Sequence, residues 1–307
     1  RAREPGRGRE ANTPGEITLR GWADILWRVL WAVSGNRILT TSGGVAFFAL
    51  LAVFPAIAAI VSLYGLFTDP STIGNQLSVL AGILPFGILQ IVTDQITSVA
   101  KQGTQTLGTA FAVSLAIAVT SANSGVAALF DALNVVYNER EKRSFIRFHL
   151  ITLLFTLAGM TFVMMAIAAV IVLPVSLRLI GLEEMTGQLF SILRWPFLLA
   201  SVGVSLAAIY RYGPSRRNAK WRWVGLGSVV AGLLWIGVSM LFSWYVATFD
   251  SYNRVYGTLG AGIGFMVWLW ISAVIVLLGA QLNAESERQT SRDTTEGKSK
   301  TMGQSSR

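Results

Sequence analysis

The chain has 307 residues, is 53% hydrophobic and only 13% charged, and has a mean hydropathy of +0.55, a profile that belongs to a polytopic membrane protein rather than to soluble domains. With no cysteine and a single histidine, it excludes disulfides, thiolate metal sites and most imidazole chemistry. Its net charge of +9 would suggest nucleic acid in a soluble protein, but the basic residues sit in linkers between apolar stretches, so anionic lipid headgroups are the expected partner and nucleic acid is not.

Residues 1–12 are polar, with scattered Arg, Gly and Pro, and lack the make-up of a signal peptide; a disordered basic tail is expected there. Since the chain opens on Arg1, processing, trimming or a fragment is expected. Thr13-Pro14-Gly15-Glu16 has the spacing of a capping box with proline at the first helical position, which starts a helix over 13–35. Trp22, Ile25, Leu26, Val29, Leu30 and Val33 recur at helical spacing opposite Arg20, Asp24 and Arg28. That pattern suits an amphipathic helix in the membrane interface, with Trp27 and Trp31 at headgroup level; packing on the bundle is the alternative.

Six long apolar stretches follow, at about 42–66, 107–136, 150–173, 189–210, 223–249 and 259–282, each far beyond strand length. The predicted fold is therefore an all-α, six-span membrane domain over 42–284. In the first span Gly43, Gly44, Ala46, Ala49 and Ala52 suit close helix contact, and Pro55 predicts a kink. Between the first two spans, Ile73, Leu77, Leu80 and Leu84, then Ile88, Ile91 and Ile96, predict two short outer-face helices broken at Pro85. A polar tail is expected over 285–307.

Of the 25 Lys and Arg residues, 21 lie before the first span, in every second linker and after the last span; of the other 4, three lie in the alternate linkers and Arg194 lies in the outer part of the fourth span, placed to snorkel outward. The positive-inside rule then places both termini in the cytoplasm.

Tyr256-Gly257-Thr258-Leu259-Gly260-Ala261-Gly262, then Trp268 to Ala273 and Leu278 to Ala284, resemble the carboxy-terminal signature of the BrkB/YihY family of bacterial inner-membrane proteins. Thr41 to Pro55 looks like that family's first span, and Asn134 to Arg147 like its basic loop, so the resemblance covers about Trp22 to Glu285. It implies a six-helix plasma-membrane protein without a settled activity. Some relatives are described as virulence or serum-resistance factors, others as movers of lipid or lipopolysaccharide precursors, and members once carried the label ribonuclease BN.

A tRNA-processing metallonuclease needs clustered histidines and carboxylates. The chain offers His149 alone, better read as an interfacial anchor, and its acidic pairs Glu139/Glu141 and Glu183/Glu184 are predicted on opposite sides of the membrane. No catalytic residue, metal or cofactor is expected. No P-loop and no nucleophile elbow is present, so movement of a substrate would be driven by a gradient, a partner or mass action.

The sharpest polar feature lies in the second span. Thr120, Asn123, Asp131 and Asn134 share one helical face, with Ser124 and Asn138 beside it, and Arg140, Lys142, Arg143 and Arg147 follow at its cytoplasmic mouth. Two readings stay open: a polar substrate cavity, or interhelical hydrogen bonding with Asp131 paired to Arg140 or Arg147. On the outer side Asp250, Arg254 and Tyr256 form a polar turn, read as a headgroup contact or, more simply, as a turn held by one ion pair. Gly257, Gly260 and Gly264 line one face of the last helix and suit close packing. Arg211, Arg216, Arg217, Lys220 and Arg222, with Trp221 and Trp223 interleaved, read as a phospholipid-facing belt. The functional expectation is a transporter or flippase-like protein for a lipid or amphiphilic anion, with a non-transporting envelope scaffold as the alternative and a membrane-embedded enzyme third.

Overall fold

A computed structural model describes residues 13–67, 104–167, 183–216, 221–248 and 259–289. They form seven helices: α1 Leu19–Gly35, α2 Ile38–Phe67, α3 Thr104–Val136, α4 Phe145–Ile167, α5 Glu183–Tyr212, α6 Trp221–Thr248 and α7 Leu259–Gln289. No strand occurs among the described residues, as the long apolar runs require. Five helices contain stretches long and apolar enough to cross a membrane: Ile38–Ala59, Gly108–Val136, Phe145–Phe162, Val224–Tyr245 and Gly262–Gln289. Of the fourth expected span, only Leu199–Tyr212 qualifies as an apolar helix among the described residues, shorter than a crossing needs. The two outer-face helices expected between α2 and α3 lie outside the described residues.

The amino-terminal signal resolves differently from its expectation. Thr13 Oγ1 does donate to Glu16 Oε1 at 3.0 Å, but the box closes only one 3-10 turn, Pro14–Glu16. The helix proper starts five residues later, where Thr18 in an extended conformation accepts from the Gly21 N–H at 3.3 Å. Between the two, Ile17 turns inward and packs with Ile25, Val29 and Leu282. The chain had two competing start signals, and burial of Ile17 favours the second.

Two compact units make up the chain. The first comprises Arg1–Ser42, Leu129–Ile236 and Val274–Arg307. Helices α6 and α7 approach closely there: a Cβ on Gly279 would fall 2.7 Å from Ala231 Cβ and 2.8 Å from the Gly227 carbonyl oxygen. Only glycine fits so close an approach. Tyr210 Oη uses the same gap to donate to the Val276 carbonyl at 2.7 Å.

The second unit comprises Gly43–Ala128 and Gly237–Ala273. Here α2 meets α3 through Phe48 and Ala49 against Gly125, whose added Cβ would lie 3.5 Å from Phe48 Cβ. Ala46 and Ala52 are buried as expected of a small-residue face, but a Cβ on Gly43 or Gly44 would meet nothing within 4 Å. Those two glycines serve no close helix contact among the described residues. Trp268 Nε1 donates to Ser239 Oγ at 3.1 Å, linking α7 to α6. Gly264 lies opposite Phe242 at ordinary contact distance, while the side of α7 carrying Gly260, and Gly257 before it, lies outside the described side chains.

Candidate functional site

Polar chemistry in the first unit concentrates at the carboxy-terminal ends of α3, α5 and α7. Helix α3 stops because Asn138 adopts a left-handed conformation with φ 56°, while the Asn138 N–H donates to the Val135 carbonyl and the Glu139 N–H to the Asn134 carbonyl. This paired closure is the Schellman arrangement, and asparagine tolerates its left-handed position better than most residues. Asn138, expected beside a cavity, is thus the residue that ends the helix.

Asn134, one turn earlier, is buried and has spent its amide. Its Nδ2 donates to Glu141 Oε2 at 3.0 Å and its Oδ1 accepts from the Ser215 N–H at 2.8 Å. Arg143 completes the joint between the loops after α3 and α5. Its guanidinium grips both Glu141 oxygens at 2.7 Å and donates to the Tyr212 and Gly213 carbonyls, the free carbonyls at the end of α5. It also lies over the rings of Phe130 and Phe148. Burial pushes the Glu141 carboxyl up, but the hydrogen bonds from the Arg143 side chain and backbone and from Asn134 outweigh it and hold the group at about 2. Lys142 pairs with Glu139 at 3.0 Å, and the Lys142 N–H donates to Ser215 Oγ. Arg140 and Arg147 are exposed, and His149 lies with its ring 4.2 Å from that of Phe145.

Helix α7 departs most from expectation. It runs to Gln289, so the first five residues of the tail expected from 285 are helical, and Glu285, Ser286, Glu287 and Gln289 are all buried. Arg216, expected in a lipid-facing belt, has a fully buried side chain that donates to both Glu287 oxygens at 2.9 and 3.1 Å and to the Tyr210 carbonyl. Its guanidinium stacks 4.1 Å over the Tyr137 ring. Burial raises the Tyr137 hydroxyl well above its ordinary range, with Arg216 drawing it partly back. Arg28 of α1 donates to Glu285 at 2.7 Å and to Gln289 at 2.6 Å; Arg288 also bonds Glu285, and Asn36 donates to Gln281. Asn283 accepts from the Gly227 N–H and donates to the Val224 carbonyl of α6. The buried pair of Arg216 and Glu287 fixes geometry, although Arg216 Nε and the Tyr137 hydroxyl find no hydrogen-bond partner among the described residues, and removing one member leaves the other charge stranded.

Asp131 stands apart. It is exposed on the apolar helix α3, with Glu141, Arg143 and His149 within electrostatic reach. In the second unit, Thr120 Oγ1 donates to the Ala116 carbonyl at 2.7 Å and Ser124 Oγ to the Thr120 carbonyl at 3.0 Å, so both hydroxyls are satisfied by their own helix. Asn123 is half-buried. Asp250, Arg254 and Tyr256, with Arg217 and Lys220, lie outside the described residues. Among the described residues, no group of three His, Cys, Asp or Glu side chains is placed to hold a metal ion.

Glu285, Glu287 and Gln289 are hidden in the sequence because a polar run at the end of an apolar helix has the composition of a solvated tail. One signal was available: Gln281, Glu285 and Arg288 continue the three-and-four spacing of α7.

The family model described as Virulence factor BrkB matches residues 29–303. Among curated proteins the chain is 28% identical over 254 residues to the ribonuclease-like protein YfkH of Bacillus subtilis, covering 79% of this chain and 88% of that one. It is 26% identical to a UPF0761 membrane protein of Vibrio vulnificus, covering 84% and 81%, and 27% identical to one from Vibrio cholerae, covering 83% and 84%. No solved structure matches.

Proposed function

Because the chain belongs to the Virulence factor BrkB family and is a membrane protein with several apolar helices, we propose that it moves a lipid or an amphiphilic anion across the bacterial inner membrane, with both termini in the cytoplasm. The observation that carries this reading is Asp131. An exposed carboxylate on a membrane-spanning helix is expensive in hydrocarbon and is kept where water or substrate reaches it. Arg140, exposed in the loop after α3, and Arg147, exposed at the start of α4, supply positive charge where an anionic headgroup would enter. The partition of basic residues supports the orientation.

An enzymatic reading has less support. Glu139, Glu141, Glu285 and Glu287 are each tied to a basic side chain, which leaves them poorly suited to bind a catalytic metal or to activate water.

A second reading, a membrane scaffold for envelope assembly, is favoured by one observation: Asn134, expected to line a cavity, and Arg143, expected at its mouth, join loops instead. Reconstitution separates the two. Transport predicts that vesicles containing the protein expose fluorescent phosphatidylglycerol of the inner leaflet to an external quencher, and that Asp131→Asn abolishes this while thermal unfolding is unchanged. Vesicles with wild-type protein that behave like empty ones would leave the scaffold.

A further inference from the structure

Helix α1 carries two distinct faces. Inward, Ile25 and Val29 pack with Ile17 against Leu282, and Arg28 and Asn36 bond the polar end of α7. These contacts fix the rotation of α1 about its axis. Outward, Leu26, Trp27, Leu30 and Trp31 are between 53% and 67% exposed, the two indoles meeting edge to face at 5.9 Å. The apolar face legible in sequence therefore divides: Ile25 and Val29 belong to the protein core, while Leu26 and Leu30 join the tryptophans on an uncovered side.

What covers that side follows from three observations. Leaving four large apolar side chains in water forfeits about 25 cal/mol for every Å² that could be buried, which calls for an apolar occupant. Next, α1 leads through Asn36 and Arg37 alone into α2, which contains a membrane-crossing stretch from Ile38. A helix joined so closely to a span stays within reach of the bilayer surface. Finally, exposed Arg20 lies near one end of α1 and exposed Arg37 follows the other, a placement that complements anionic headgroups. Helix α1, with 17 residues, is shorter than a crossing requires.

We propose that α1 is a membrane-surface helix whose Leu26 and Leu30 enter the acyl boundary of the leaflet on the basic side of the protein. Trp27 and Trp31 lie at the headgroups, and Arg28 and Asn36 lock this lipid-borne helix to the end of α7. It is a strut between the bilayer surface and the ion-paired end of the last span.

The absence of cysteine in these 307 residues gives a direct test. Single variants Leu26→Cys, Leu30→Cys and Gly35→Cys carry a nitroxide; an added Cβ at Gly35 meets nothing within 4 Å, and both leucines are exposed, so none of the three disturbs the core. In vesicles of phosphatidylethanolamine and phosphatidylglycerol, spin relaxation by oxygen relative to relaxation by a water-soluble nickel chelate is expected to be several-fold higher at 26 and 30 than at 35. Equal, water-like ratios at all three positions would overturn the proposal. Spin-spin broadening between labelled chains at 26 and 30 would also overturn it, and would assign the face to a second copy. Leu26 and Leu30 report independently, so the failure of one variant to fold leaves the other to decide.

Discussion

Two polar stretches of this chain have opposite fates. In α3, Thr120, Ser124 and Asp131 interrupt an apolar run and look conspicuous in sequence, yet the two hydroxyls close onto their own helix and Asp131 stays exposed. At the end of α7, Glu285, Glu287 and Gln289 look like the start of a solvated tail, yet all three are buried and bonded to side chains of α1, of the α5–α6 loop or of α7 itself. A polar residue within a span is not necessarily structural glue, and a polar residue after one is not necessarily free. The difference lies in whether the helix itself can satisfy the group: a hydroxyl reaches the carbonyl four residues back, but a buried carboxylate cannot and must find a cation.

The contrast breaks most visibly at Glu287. Glu287→Ala strands the buried Arg216 guanidinium and is expected to cost about 3–5 kcal/mol, read as a fall in the unfolding midpoint in detergent. Gly279→Ala drives a methyl into Ala231 and the Gly227 backbone and is expected to cost about 1–3 kcal/mol by overpacking. Asn134→Ala leaves the Ser215 N–H and Glu141 short of a partner, for about 1–3 kcal/mol.

Acid offers a gentler probe of the same joint. The Glu141 carboxyl is held at about 2 against an ordinary 4.5, so its contribution to stability is complete above pH 4.5 and is lost as pH falls toward 2. Glu141→Gln is expected to flatten that part of the stability profile, seen by unfolding at a series of acidic pH values. At the small end, Thr120→Val and Ser124→Ala are expected to shift stability by no more than about 0.5 kcal/mol, since each hydroxyl serves only its own helix.

The helical class and five apolar spans were legible because hydrophobic length is a one-dimensional property. The start of α1 was misread because Thr13 and Thr18 both carry cap chemistry, and only the three-dimensional burial of Ile17 decides between them. Asn138 and Asn134 read as polar lining because sequence displays a side chain without its partner: the first needed a backbone angle, the second a loop 81 residues away. Arg216 and Glu287 were the least visible, being 71 residues apart with each in a segment of tail-like or linker-like composition. For Asp131 the sequence supplied the residue and its place in an apolar run, and the structure adds that it is exposed on α3.

The most direct test compares Asp131→Asn with Glu287→Gln in the same vesicles, as the rate of phosphatidylglycerol exposure per folded molecule. Asp131→Asn is expected to lose the rate at unchanged stability, and Glu287→Gln to show a reduced folded fraction with a normal rate per folded molecule. A normal rate for Asp131→Asn, or an unfolded protein, would contradict this expectation.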